Sequence, residues 1–218
     1  MPLAIIRPMN YQQFVGMIGN SLWQLIGVLE NHPIGGWCNA LQRYQFKGMN
    51  HVAGQNVRIK FHQALTNAVK LNDRIGVANN ILQWGNMKPM NDKMRNSLEA
   101  SLLSLNDEAK GNLNHVCVER IASISKIYEM WNPAAWVIYD SYCAKGLQWL
   151  VSQFWNQDAN ELHANILKLP WPPGRVGAPV QGFPRLGTEQ QARLAFIYAS
   201  WLCRAIAARL NENRNQEL

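Results

Sequence analysis

The chain has 218 residues, 48% of them apolar, which is enough for the packed core of one domain and too many for a disordered chain. No apolar run approaches the roughly 18–20 residues that span a bilayer, and the start MPLAIIRPMNYQQF has no basic region followed by a long apolar stretch. A soluble, cytoplasmic protein is therefore expected, and its formal charge of +7 suits a polyanionic partner without requiring one.

The cysteines, Cys38, Cys117, Cys143 and Cys203, are too far apart for a CxxC zinc clip or an iron–sulfur cluster. The histidines, His32, His51, His62, His115 and His163, include no HxxxH pair. No metal and no cofactor are expected, and the thiols read as free.

Helical periodicity dominates the chain. Tyr11 to Glu30 sets Phe14, Met17, Ile18, Leu22, Leu25, Ile26 and Leu29 at spacings of three and four, and His32-Pro33 with Gly35-Gly36 ends that helix. Residues 37–55 read as irregular, with a short helix around Ala40–Tyr44. A second helix fits Asn56 to Leu71, with Ile59, Leu65, Ala68 and Val69 on one side. A third starts at Asp73 as N-cap and reaches Trp84 before Gly85 breaks it. After the Lys88-Pro89 turn, Asn91 or Asp92 caps a helix that runs through Leu105.

Cys117–Trp131 is helical by pattern, with an interruption near Ser123–Ser125, and Asn132-Pro133 stops it. Trp136–Tyr139 reads as briefly extended. Ser141–Trp155 follows, with Cys143, Leu147, Leu150, Val151 and Phe154 on one stripe. Leu169 to Gly187, LPWPPGRVGAPVQGFPRLG, is too rich in proline and glycine for a helix. So long a loop either wraps the core or faces a substrate. The last helix, Thr188–Arg209, turns Leu194, Ile197, Trp201, Leu202 and Ile206 inward. The fold class is all-α: one compact domain over 1–218, with room for two lobes and a cleft between them.

Chemistry concentrates in Ser125–Tyr142, SKIYEMWNPAAWVIYDSY. Ile121, Ile124, Tyr128 and Trp131 make a helical stripe, and Lys126 lies off it. A lone lysine in that position is ordinarily a solvated side chain. Near the start of a helix, with Ser123 or Ser125 as cap, the dipole would disfavour its ammonium, and only the neutral amine is nucleophilic. Asp140, just before Ser141 and an amphipathic helix, reads as an N-cap carboxylate held rigidly.

Taken together, Ser125-Lys126, the aromatic turn with Asn132-Pro133, and Tyr139-Asp140-Ser141 resemble the helix-hairpin-helix DNA glycosylase superfamily, in particular bacterial proteins related to 8-oxoguanine DNA glycosylase. The resemblance covers about 35 residues and extends weakly to Ile81–Gly85 and the C-terminal helix. Two features depart from the family pattern. Ala122–Ser125 stands where the glycine-rich hairpin is usual, and the spacing from Lys126 to Asp140 is a few residues short.

The resemblance implies a monomeric enzyme on double-stranded DNA that flips out and excises a damaged or modified base. Asp140 would stabilise the oxocarbenium-like sugar, and Lys126 would attack it and open an abasic-site lyase step. Gln83, Trp84, Trp131 and Trp136 are candidates to hold the base. Ser123, Ser125, Arg175 and Arg185 are candidates for the DNA backbone, with Lys168 and His115 as weaker ones. Three other readings remain open: a glycosylase acting on glucosylated or hydroxymethylated cytosine in anti-phage defence, a non-catalytic helical DNA-binding module, and a helical protein-interaction domain.

Overall fold

The computed structural model describes residues 10–31, 49–108, 113–155, 166–172 and 178–216. It is all-helical. In chain order the helices are α1 (Tyr11–Glu30), α2 (His51–Asn67), α3 (Leu71–Trp84), α4 (Asp92–Asn106), α5 (Ile121–Trp131), α6 (Ser141–Trp155) and α7 (Glu189–Gln216). Among the described residues there is no strand; Trp171 and Arg185 form an isolated bridge.

Most helix starts are fixed by a side chain that accepts an otherwise unpaired amide. Asn10, Asn50 and Asn91 accept from Gln13, Ala53 and Met94 at 2.9, 2.9 and 3.0 Å. Thr188 accepts from the Gln191 amide at 3.2 Å, while the Gln191 side chain takes the Gly187 and Thr188 amides, a reciprocal cap for α7.

The fold is organised around α5. It packs against α2, α3, α4 and α7, whereas α1 packs on α6 and α7. Nine residues of α5 are buried, from Ile121 to Met130 with only Ala122 left out. A helix surrounded on so many sides has no solvent face for charge, so Ser123, Ser125, Lys126 and Glu129 are buried with the rest.

Several expectations change. Helix α2 begins at His51, inside the stretch read as irregular, and ends at Asn67. Ile59 and Val69, assigned to its inner side, are 52% and 86% exposed; Leu65 is the buried anchor. Cys117–Arg120 is not helical, and α5 runs unbroken through Ser123–Ser125. Its start has no side-chain cap: Arg120 takes left-handed backbone angles, φ 49° and ψ 54°. Asp73 lies in the first turn of α3 rather than at its cap. The short helix expected around 40–44 lies outside the described residues.

The described parts of the proline-rich stretch, 169–172 and 178–187, pack on the core. Its Leu169, Trp171 and Phe183 are buried, and the Trp171 and Leu186 amides donate to Pro184 and Trp171 carbonyls at 2.8 and 2.9 Å. Gln148 of α6, fully buried, ties two of its strands of chain together. Its Nε2 donates to the Leu169 carbonyl at 2.9 Å and its Oε1 accepts from the Val180 amide at 3.0 Å. Among the described residues no helix is long and apolar enough to cross a membrane.

Candidate active site

After α5 the chain turns at Asn132-Pro133, where the Ala135 and Trp136 amides donate to the Asn132 carbonyl. Residues 136–139 then run back beside α5 with no strand partner. Their amides find serine hydroxyls instead: Val137 donates to Ser200 Oγ at 3.3 Å and Tyr139 to Ser125 Oγ at 2.9 Å. Ser125 is fully buried, so its hydroxyl serves this contact and is unavailable to a DNA backbone.

The Ser125–Tyr139 bond sets the register for the next pair. One residue further along each segment, Lys126 Nζ donates to Asp140 Oδ2 at 3.1 Å. The lysine side chain is 7% exposed and the aspartate 23%. Lys126 is thus not a solvated surface residue. It is also the sixth residue of α5 rather than near its start, so the positive end of the α5 dipole does not act on its amine directly.

Asp140 meets its expectation as a helix cap. Its Oδ1 accepts from the Tyr142 and Cys143 amides at 3.0 and 3.1 Å, and its carbonyl from Ala144 at 2.9 Å. One carboxylate oxygen therefore serves α6 and the other serves Lys126. Such a carboxylate is fixed in place by three donors on two elements.

Gly85 supplies the space for the lysine. A Cβ built there would lie 2.8 Å from Lys126 Cδ and 3.1 Å from Cε. Its φ of −72° is open to any residue, so the close approach of Lys126 is what requires glycine. Glu129, one turn along α5 from Lys126, is a second buried carboxylate. Its Oε1 pairs with Arg58 of α2 at 3.2 Å, and its Oε2 has no partner. Burial raises its pKa, opposed by Arg58 and then by Lys126.

Beside the pair lies a cleft of about 350 Å³, lined by three segments: Gly85–Met87, Arg120–Ser123 and Asp140–Tyr142. The starts of α5 and α6 both border it. Asn86 and Arg120, the non-glycine residues with positive φ among the described ones, both line it. Unusual backbone of this kind persists where surrounding contacts hold it. The Arg120 guanidinium does so by donating to the Lys88 and Pro89 carbonyls, each at 2.7 Å.

The other sequence candidates separate. Ser123 lines the cleft. Trp136 is 1% exposed, stacked on Phe196 with centroids 5.5 Å apart, so its ring faces are taken by the core. Trp131 donates to Asn106 Oδ1 at 2.9 Å and carries the Arg74 guanidinium over its ring. Trp84 meets Phe61 edge-on. Gln83 is exposed, outside the cleft lining. Arg185 and Lys168 are exposed on the proline-rich stretch, and Arg175 lies outside the described residues. His115 is exposed, outside the cleft lining.

The site roles of Gly85, Arg120 and Glu129 are not legible in the sequence because each arises through a neighbour distant along the chain, and that of Tyr142 because the cleft is assembled from three separate segments. Cys143 stands close to Asp140, but burial, then Cys203 and Asp140, push its thiol well above the ordinary range, with Lys126 opposing. A thiol so disposed is a poor nucleophile. Among the described residues no group of three or more His, Cys, Asp or Glu could hold a metal ion. No family model, curated protein or solved structure matches the chain.

Proposed function

We propose that this chain is a DNA glycosylase with abasic-site lyase activity, in which Lys126 is the nucleophile and Asp140 its electrostatic partner. The observation that carries this reading is the Lys126–Asp140 pair, 3.1 Å apart, in which the lysine is buried and Asp140 lines a cleft bordered by two helix starts. The order of parts in Arg120–Tyr142 supports it: a lysine on a helix, a proline turn, and an aspartate capping the next helix, as in the helix-hairpin-helix superfamily. The surplus of positive charge suits a DNA substrate.

A damaged or modified base enters the cleft only after leaving the duplex stack. As the glycosidic bond breaks, positive charge develops on the sugar, and the fixed carboxylate of Asp140 offsets it. The departing base takes up a proton. Lys126 gives its ammonium proton to that base and forms an N–C1′ bond; one of its remaining protons passes to the ring oxygen as the C1′–O4′ bond breaks, which leaves a protonated imine. Loss of a C2′ proton then expels the 3′ phosphate. Gly85 gives the lysine stem room to reach this position, and Ser125 holds the returning segment in register.

Borohydride trapping across duplexes carrying oxidised purines and modified cytosines tests the reading. Wild-type protein should form a covalent adduct on at least one duplex, and Lys126→Ala should form none. Asp140→Asn should slow base release by about a hundredfold or more. A purely structural ion pair would give no base release from any duplex, and an adduct retained by Lys126→Ala would reject the assignment of the amine.

A further inference from the structure

The cleft has one aromatic side chain in its lining, Tyr142, and it is 71% exposed. Large apolar rings are usually turned inward on a helix whose neighbours offer a core. Leu147, Leu150 and Val151 of the same helix are buried that way. Tyr142 instead stands at the first turn of α6, and its amide is bonded to Asp140 Oδ1 at 3.0 Å. That bond makes the backbone bearing the ring and the catalytic carboxylate one rigid unit.

The tryptophans named from the sequence are engaged elsewhere. Trp136 is stacked in the core, Trp131 is bonded to Asn106 and covered by Arg74, and Trp84 packs on Phe61. The remaining walls add apolar surface from Met87, Ile121 and Ala122 and polar groups from Asn86, Ser123, Ser141, Asp140 and Arg120, whose guanidinium is engaged by the Lys88 and Pro89 carbonyls. With the Arg120 guanidinium so engaged and the Asp140 carboxylate in the wall, a planar, uncharged group fits this lining better than a phosphate does.

We infer that Tyr142 is the platform on which the extruded base stacks, a role that rests on the glycosylase reading above. Stacking is tolerant of the base's hydrogen-bonding edge, because every base has a π face. Tyr142 therefore holds the base in the cleft, and the choice among bases falls to edge contacts such as Asn86. The phenol oxygen is not needed for stacking, so phenylalanine serves as well.

Adduct formation is measured under borohydride for wild type, Tyr142→Ala and Tyr142→Phe on two duplexes, one with a substrate base and one with a preformed abasic site. On the base-containing duplex at subsaturating concentration, Tyr142→Ala should be slower by about tenfold to a hundredfold. Tyr142→Phe should match wild type. On the abasic duplex, which has no base to stack, all three should react alike. Equal rates on the base-containing duplex would overturn the inference, and so would a loss on both duplexes or a loss in Tyr142→Phe. Failure of wild type on the abasic duplex would instead count against the glycosylase–lyase reading itself.

Discussion

The position of a reactive amine is set here by what is missing beside it. Gly85 caps α3 with ordinary helical-side angles, so alanine fits its backbone. Only the lysine stem objects, with Cδ at 2.8 Å and Cε at 3.1 Å from the added carbon. The stem is flexible, so the fold yields little and Lys126 moves. Gly85→Ala should therefore keep a wild-type melting temperature to within about 2 °C, while adduct formation falls by about tenfold to a hundredfold, the penalty typical of misplacing a reacting group by about 1 Å. Paired thermal melts and trapping rates check both halves. A variant that melts normally and traps normally would show that Lys126 tolerates displacement.

At the scale of elements, the proline-rich stretch depends on one side chain of α6. Gln148 satisfies the Leu169 carbonyl and the Val180 amide from a fully buried position. Gln148→Ala strands both groups, and with about 1–3 kcal/mol for each buried unsatisfied partner it should cost about 2–6 kcal/mol in urea unfolding. Lys126 and Asp140 are untouched by that change, so trapping by the folded fraction should persist. A loss below about 0.5 kcal/mol would mean that the stretch holds itself in place.

Much of this element pattern is legible in sequence. The apolar spacing of α1 gives its bounds, and α6 is found as expected because Asp140 caps it in an ordinary way. The start of α2 is not legible, since Asn50 caps a turn whose Val52 stays exposed and leaves no apolar signal. The start of α5 is hidden for another reason. Arg120 gains its left-handed turn from carbonyls of Lys88 and Pro89, about thirty residues away. For the candidate site, Lys126 and Asp140 stand out in the sequence by their shared setting. The burial of the lysine and the roles of Gly85 and Tyr142 arise only when α3, α5 and α6 meet.

For the molecule as a whole, the central helix carries charge where a stability-driven sequence would carry leucine. Glu129 is the clearest case: 5% exposed, one oxygen unpartnered, and a pKa raised by burial against the pull of Arg58 and Lys126. A carboxyl whose folded pKa is raised binds its proton more tightly in the folded state than in the unfolded one. Its contribution to stability is therefore present at low pH and is lost as pH climbs from the ordinary carboxylate value of 4.5 through the raised one. Glutamine has nothing to titrate, and Arg58, about one-third exposed, can turn to solvent. Glu129→Gln should thus match wild type below the ordinary carboxylate value of 4.5 and gain on it as pH rises from there through the raised pKa, above which the gap holds constant. Urea midpoints for the two proteins across that range give the difference directly. A gap that narrows with pH would mean that pairing with Arg58 outweighs burial and that Glu129 is held ionised in the folded protein.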